Sequence, residues 1–429
     1  MAVMLIESTD PNFSHYLKKN PAGGMTIKSM RSGVLSGWYP NGDAQKYALW
    51  FRETSSENSF SNEDGKNYLD LTQYASTYFV FQAMTTLFNQ VLKLDENQPY
   101  SGVVHQIRIP NVQLRTEKTF HHLCEFIQPG LYTLTKKSET NSMALYDIHI
   151  HSDGTFNEFM MKVYLLFYLM HADLYASDIV FMEGMIGKVV GIMQELRSPY
   201  FLWYWFKKNV LIKQSFYKDL EQELGKNSSD GKMYLEFGNT QQQRKAWVDK
   251  HIGAFDCDIL DVGCGGGDYV LPYAKKLKDK GHNIVGVDID KEITDKLGYK
   301  LVERHQHNAA VVNHIDEVQM DGLHDIICIE VIEHMPLADA KELVIKLAKR
   351  NFRKLLISTP NVTFNQFYTT MGGPFRHDDH HFELDRQEFQ TFIAECLAEV
   401  GGQFTVRDFG VGDQVNDISM AQGCIITKD

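Results

Sequence analysis

Acidic and imidazole side chains crowd into five positions at Glu330-Val331-Ile332-Glu333-His334, with Pro336 just beyond. On one helical turn, Glu330, Glu333 and His334 would project from a single face. Two carboxylates and an imidazole at one spot repel or shift strongly in pKa unless a divalent cation neutralises them. A further ligand is expected from Arg376-His377-Asp378-Asp379-His380-His381-Phe382-Glu383, a dense run of metal-ligating types. Mixed oxygen and imidazole ligation suits manganese, iron or cobalt, and magnesium where it keeps its waters; zinc is disfavoured because no thiolate joins the set. The competing reading is a solvated helix start, whose early carboxylates complement the helix dipole.

A second constellation is the turn Asp261-Val262-Gly263-Cys264-Gly265-Gly266-Gly267-Asp268, which follows an apolar strand at 258–262 and opens a helix expected over 268–280. Ligands of open α/β sheets sit at such carboxyl ends. A dinucleotide fingerprint wants glycine at the sixth position of Gly-x-Gly-x-x-Gly, where this chain has Asp268. An acidic residue there also competes with a pyrophosphate for the helix amides. A cationic, phosphate-free cofactor, S-adenosylmethionine, meets no such conflict. Asp288, closing a second strand at 283–288, is placed to accept hydrogen bonds from ribose hydroxyls.

The elements that must position these groups alternate strand and helix. A third strand at 324–329 runs straight into Glu330, a helix is expected over 341–350, and a fourth strand over 354–358. This order specifies an α/β domain over 241–429 with a parallel sheet covered on both faces. Segments 404–409 and 424–427 suit an antiparallel hairpin at the sheet edge. Turn residues concentrated in 224–232 mark a linker, taken as 225–240. Residues 1–224 read as an α+β domain, with strand-like stretches at 33–51 and 103–109, a loop at 58–66, and helical stretches at 71–92, 156–170 and 197–216. Within the last, Trp203, Tyr204, Trp205 and Phe206 stand beside Lys207, Lys208 and Lys213. Stacked RNA bases are one use for such a cluster. Core burial is the better one, because four adjacent aromatics cannot share one helix face.

Composition bounds the answer further. The 429 residues carry a formal charge of −12 with 43% hydrophobic residues, which excludes a disordered or fibrous chain and argues against indiscriminate coating of nucleic acid. No stretch approaches the ~20 apolar residues of a membrane span. Glu7 and Asp10 stand where a signal peptide would be basic. The six cysteines show no paired spacing, so a disulfide framework is not expected and a cytoplasmic location fits. Lys341, Lys346, Lys349, Arg350, Arg353 and Lys354 form the evident positive cluster, read as a solvated helix face.

The residues Glu330 to His334, then Ser358-Thr359-Pro360-Asn361 with Phe364-Asn365, then Arg376-His377 through Asp379-His380-His381-Phe382-Glu383 and Arg386, resemble the small-RNA 3′-terminal ribose 2′-O-methyltransferases. Gly410-Val411-Gly412 and Gln422-Gly423-Cys424-Ile425-Ile426 are similar to that family's closing strands. The resemblance implies a class I (Rossmann-like) methyltransferase sheet acting on an RNA 3′ end. It implies Glu330, Glu333, His334 and His380 as ligands of manganese or magnesium, and His377 near the substrate as proton acceptor or support. Asp261, Gly263, Gly265, Gly267 and Asp288 would line the adenosylmethionine site, and Arg376, Arg386 and Asn361 would meet substrate. Two places depart: Phe382-Glu383-Leu384-Asp385-Arg386 stands where the family reads Phe-Glu-Trp-Thr-Arg, and Thr363 replaces a glutamate.

Segments 12–21, 68–88 and 146–171 resemble, more loosely, the amino-terminal half of bacterial members. That half implies activation of an RNA-sealing partner carrying kinase, phosphatase and ligase modules. Two rivals stay open at this point: an enzyme of the same fold acting on a small vicinal diol, and a ligase-activating scaffold whose methylation is secondary.

Overall fold

In a computed structural model the described residues are 2–30, 33–53, 59–61, 67–69, 77–95, 102–139, 144–174, 183–320, 322–368 and 375–428. The chain divides into two units, Met1–Ser229 and Asp230–Asp429, so the division falls inside the segment read as a linker.

The first unit contains β1 (Ala2–Ser8), α1 (Phe13–Leu17), β2 (Thr26–Met30), β3 (Gly33–Trp38), β4 (Lys46–Glu53), β5 (Ser59–Ser61), β6 (Asn67–Leu69), α2 (Thr77–Phe88) and β7 (His105–Leu114). It continues through α3 (Glu117–Ile127), β8 (Leu131–Glu139), β9 (Ala144–Ser152), α4 (Phe156–Leu174), α5 (Ile186–Glu195), α6 (Tyr200–Val210) and α7 (Gln214–Leu220). Seven strands form one antiparallel sheet in the order β2-β3-β4-β1-β7-β9-β8. Its strands alternate as a one-sided sheet must: Met4 and Ile6 of β1 are fully buried, while Leu5 and Glu7 face the other way.

Several expectations for this unit shift. The strand-like stretch 33–51 holds two strands, β3 and most of β4. Residues 59–61, expected in a loop, pair as β5 with β6; residue 58 and 62–66 lie outside the described residues, as do 71–76 of the long helical stretch. The stretch 197–216 breaks into α6 and α7. Trp203 and Phe206 are fully buried and Tyr204 and Trp205 partly so, which agrees with core rather than base stacking.

The second unit adds β10 (Met233–Tyr234), α8 (Thr240–Ile252), β11 (Asp258–Val262), α9 (Val270–Lys278), β12 (Ile284–Val287), α10 (Lys291–Glu303) and β13 (Ala309–Val312). After these come β14 (His324–Ile329), α11 (Leu337–Lys349), β15 (Phe352–Pro360), α12 (Arg386–Val400), β16 (Phe404–Val415) and β17 (Ile418–Lys428). The sheet order is β10-β16-β17-β15-β14-β11-β12-β13. Its five strands from β15 to β13 run parallel, and β17 is antiparallel to both β15 and β16. This is the class I methyltransferase arrangement. Near-continuous apolar strands such as β14, whose Ile326 and Ile327 are wholly buried, belong to sheets covered on both faces.

Two corrections apply here. Residues 233–234 of the expected linker pair with β16 as β10. The closing hairpin forms antiparallel as expected, but the two-residue β10 rather than β16 takes the outermost place, and the hairpin strands run on to a turn at Asn416 and Asp417, where φ is +49° and +63°.

The glycine turn after β11 is shaped by a close approach. Gly263 has φ +73°, and a Cβ there would stand 2.3 Å from Cγ2 of Val331, in the acidic turn after β14. The two chemical turns therefore pack directly on one another. Gly263→Ala adds left-handed strain and a clash, together about 3 kcal/mol of destabilisation in urea unfolding. Adding Val331→Ala should recover the clash share only; unchanged stability of the single variant would refute this packing.

Candidate active site

At the end of β14 the chain does not enter the helical turn expected from residue spacing. Glu330 has φ +55°, a left-handed conformation, and a single 3-10 turn then spans Ile332–His334. Glu330 consequently leaves in a different direction from Glu333 and His334. Its Oε2 accepts a hydrogen bond from Arg244 Nη1 of α8 at 2.8 Å, and its Oε1 accepts one from Ser358 Oγ of β15 at 2.9 Å.

Glu333 is wholly buried. Its Oε2 accepts from Thr359 Oγ1 at 3.1 Å, while its Oε1 is buried without a hydrogen-bond partner. Burial, reinforced by the Glu330 carboxylate, pushes its pKa well above the usual glutamate value. His380 is also buried, and its Nδ1–H donates to Glu383 Oε1 at 2.7 Å. His334 is exposed, with Nδ1 3.0 Å from the Asp379 carboxylate. The His334 and His380 ring centroids are 4.8 Å apart. Potential ligand atoms of Glu333, His334 and His380 all lie within 4.8 Å of one another. The loop is pinned to the turn by His381 N, which donates to the Glu333 carbonyl at 2.8 Å.

A divalent cation fits this donor set. An orphaned buried carboxylate oxygen and an imidazole whose other nitrogen is fixed by a carboxylate are the features a metal site requires. Three of the four ligands read from the sequence are thus brought together, and Glu330 stands outside that group, held by Arg244 and Ser358. His377 is exposed, its ring centroid 5.2 Å from that of His380.

The glycine turn supplies a second anionic pocket. Gly265 N donates to Asp288 Oδ2 at 2.8 Å, with Gly265 at φ +46°. Gly267 N donates to the Cys264 carbonyl at 2.9 Å, closing the turn. Asp261 is buried, its Oδ2 lacks a partner, and its pKa is pushed up to about 8, first by burial and then by Asp268 and Asp288. Three converging carboxylates suit a cationic ligand and oppose a pyrophosphate.

The three substrate candidates are placed differently. Arg376 is committed to the fold: Nε donates to Asn365 Oδ1 at 2.8 Å, and Nη2 donates to the carbonyls of Asn361 and Met420 at 3.0 and 2.7 Å. The Asn361 side chain is buried and bonds Thr363 N and the Ser419 carbonyl. Arg386 is exposed at the first position of α12 and, with Asn361, Thr363 and Asp408, lines a cleft of about 230 Å³.

The departures from the family pattern also find structural uses. Asp385 is the N-cap of α12 in a capping box with Glu388, a post that threonine fills too. Leu384 packs against the core. The sequence reading missed Arg244, which α8 delivers from far upstream. It named Ser358, Thr359, Asp379 and Glu383 within its motifs but gave them no supporting role.

Residues 3–229 match the Hen1 N-terminal domain, and residues 259–353 match a methyltransferase domain. A small RNA 2′-O-methyltransferase of Xenopus tropicalis is 30% identical over 202 residues, 41% of this chain and 50% of the relative. One of Caenorhabditis elegans is 30% identical over 181 residues, 36% of this chain and 41% of the relative. The chain spans about half, or less, of the length of these curated relatives. A chain of the solved Pnkp1/Rnl/Hen1 RNA repair complex shares the fold, with TM-score 0.78 at 21% identity over 99% of this chain and 100% of that one. Since the first of these matches takes in more than half of the residues, the chain belongs to the Hen1 N-terminal domain family, with a class I methyltransferase unit following that domain.

Proposed function

We propose that the second unit transfers a methyl group from S-adenosylmethionine to the 2′-hydroxyl of the 3′-terminal ribose of RNA. Manganese or magnesium would be held by Glu333, His334 and His380, with Glu330 as the fourth ligand. The observation that carries the reading is the unpartnered, buried Oε1 of Glu333 beside two imidazoles, in a turn packed directly on the glycine turn. When bound, the cation supplies a Lewis acid that makes a ribose hydroxyl nucleophilic, and adenosylmethionine supplies the methyl group.

The chain's own residues do the positioning. Thr359 ties down one oxygen of Glu333 and leaves the other directed at the site. Glu383 holds the proton on Nδ1 of His380, which keeps the Nε2 lone pair free. Asp379 orients His334 from the solvent side. Arg244 and Ser358 hold Glu330 in place, and Arg244 must give up or share that carboxylate when Glu330 becomes a ligand. Asp268 and Asp288 place negative charge at the glycine turn, and a sulfonium donor there would favour release of the proton that buried Asp261 holds in its absence. His377, exposed beside His380, is placed to accept the proton leaving the hydroxyl. The name of the curated relatives supports the substrate class. Unit 1, by its family, supports engagement of a kinase-phosphatase-ligase RNA-repair partner, which it would activate.

Labelled methyl transfer to a short RNA with free 2′ and 3′ hydroxyls is the direct test. Transfer should vanish with a 2′-deoxy end, a 3′-phosphate end, or Glu333→Ala; equal labelling of all these ends would sink the proposal. Separately, Glu383→Gln should weaken manganese binding, read by calorimetry or electron paramagnetic resonance, by roughly tenfold to a hundredfold. Unaltered affinity would remove Glu383 from the supporting role.

The raised Asp261 carboxyl gives a pH signature. Its pKa moves from an ordinary 3.8 to about 8, so across that window the folded, ligand-free chain holds a proton that the unfolded chain has lost. Stability is then lost as pH rises through the window. The melting temperature of the ligand-free protein should fall between about pH 4 and pH 8, and fall less in Asp261→Asn; matching slopes in the two proteins would contradict the assignment.

A further inference from the structure

A groove of about 630 Å³ opens beside the glycine turn, lined by Gly267 and Asp268, one face of α9, Lys245 of α8, and the segment Arg304-His305-Gln306 after α10. Lys275, Lys278 and Arg304 are exposed along it, and among the described residues none of the three has an ion-pair partner within 4 Å. Lys245 Nζ donates to the Asp268 carbonyl at 3.1 Å. Arg244, the preceding residue, holds Glu330 in the candidate active site. The groove therefore starts at the end of the glycine turn.

These cations stand together without ion pairs among the described residues of a chain of formal charge −12. In the other visible positive cluster half of the cations are neutralised: Lys341 pairs with Glu399, Lys346 with Glu342, and Arg353 with buried Asp325, while Arg350 and Lys354 donate to backbone carbonyls. From Leu271 to Lys278, α9 extends about 10 Å, the axial reach of about three consecutive phosphates on one nucleic-acid strand.

We propose that this groove is the track for the RNA backbone upstream of the methylated end, with Lys275, Lys278 and Arg304 each meeting a phosphate. The proposal rests on the methyl-transfer reading and adds where the strand runs. Phosphate contacts of this kind position a strand without reading its sequence. The last nucleotide would lie at Glu333 and His380, and the strand would pass Arg244 and Lys245 to enter the groove.

The experiment compares the full chain with the Lys275→Glu/Lys278→Glu/Arg304→Glu variant, using RNA of about 12 nucleotides and a two-nucleotide acceptor too short to reach the groove. Losing three phosphate contacts should weaken binding of the longer RNA about 100-fold at 0.1 M salt and flatten its logarithmic salt dependence by about two. KM for the longer RNA should rise with kcat unchanged, while the two-nucleotide acceptor should be methylated as before. Neutral single variants, Lys275→Gln, Lys278→Gln and Arg304→Gln, should each lose about fivefold. These guard against a folding defect in the triple variant, and Lys346→Glu/Lys349→Glu on α11 should change nothing. If the unaltered chain methylates RNA and the triple variant binds and turns over the longer RNA equally well, the groove assignment falls while the activity stands. If the triple variant loses poly-glutamate but keeps RNA, the groove belongs to an acidic protein and the proposal is overturned. Absence of RNA methylation by the unaltered chain overturns both readings.

Discussion

A carboxylate cut off from water with only one of its oxygens hydrogen-bonded is a costly thing to build, and Glu333 is that group. An unpaired buried polar atom costs on the order of 1–3 kcal/mol, more when the group is charged. The surrounding architecture keeps Glu333 in that condition. Thr359 bonds one oxygen, Glu330 adds a second negative charge, and the His381 amide fastens the opposite loop to the Glu333 carbonyl. A cation arriving there relieves desolvation and repulsion together, so the site is arranged for a ligand rather than for the stability of the empty fold.

The same logic extends to the neighbouring turn. Asp261 is buried with a free oxygen while Asp268 and Asp288 add to its charge, and Gly263 brings this turn into contact with Val331 of the acidic turn. Negative charge is thus concentrated at the carboxyl ends of β11, β12 and β14. Of the two separate anionic pockets, one is ringed by carboxylates alone and one by carboxylate and imidazole, so their donor chemistries suit different cations. The first suits an organic cation with an extended body. The second offers directional lone pairs to a metal ion.

The strand-turn-helix order of the second unit was legible because each parallel strand is a short apolar run closed by glycine or charge. β13 was missed for the opposite reason: Ala309–Val312 is four residues long and is only partly buried. The ligand types at 330–334 and 376–383 were legible, but their geometry was not. Spacing arguments assume helical backbone, and the left-handed φ at Glu330 breaks that assumption at the residue where it mattered. Contacts that cross long stretches of chain left no trace in the sequence. Arg244 lies 86 positions from Glu330, and the pair is invisible until α8 is placed. Charge misled in a related way. In the conspicuous basic run at 341–354, Lys341, Lys346 and Arg353 meet acids, whereas Lys275, Lys278 and Arg304 converge, without ion pairs among the described residues, from two elements that looked unremarkable.

The Arg244–Glu330 pair has a further consequence for how the site fills. Without the Arg244 guanidinium, Glu330 would stand as an uncompensated charge next to Glu333, whose pKa it already raises. The guanidinium holds that charge in check at 2.8 Å and is itself only partly exposed. Guanidinium presents its donors in a planar fork and a carboxylate has two oxygens, one of which already accepts from Ser358. A cation drawing on Glu330 must therefore compete with Arg244 or take the oxygen that Ser358 now occupies. The first exchange frees the guanidinium of Arg244, the residue before Lys245, whereas the second leaves the buried Ser358 hydroxyl to find another partner.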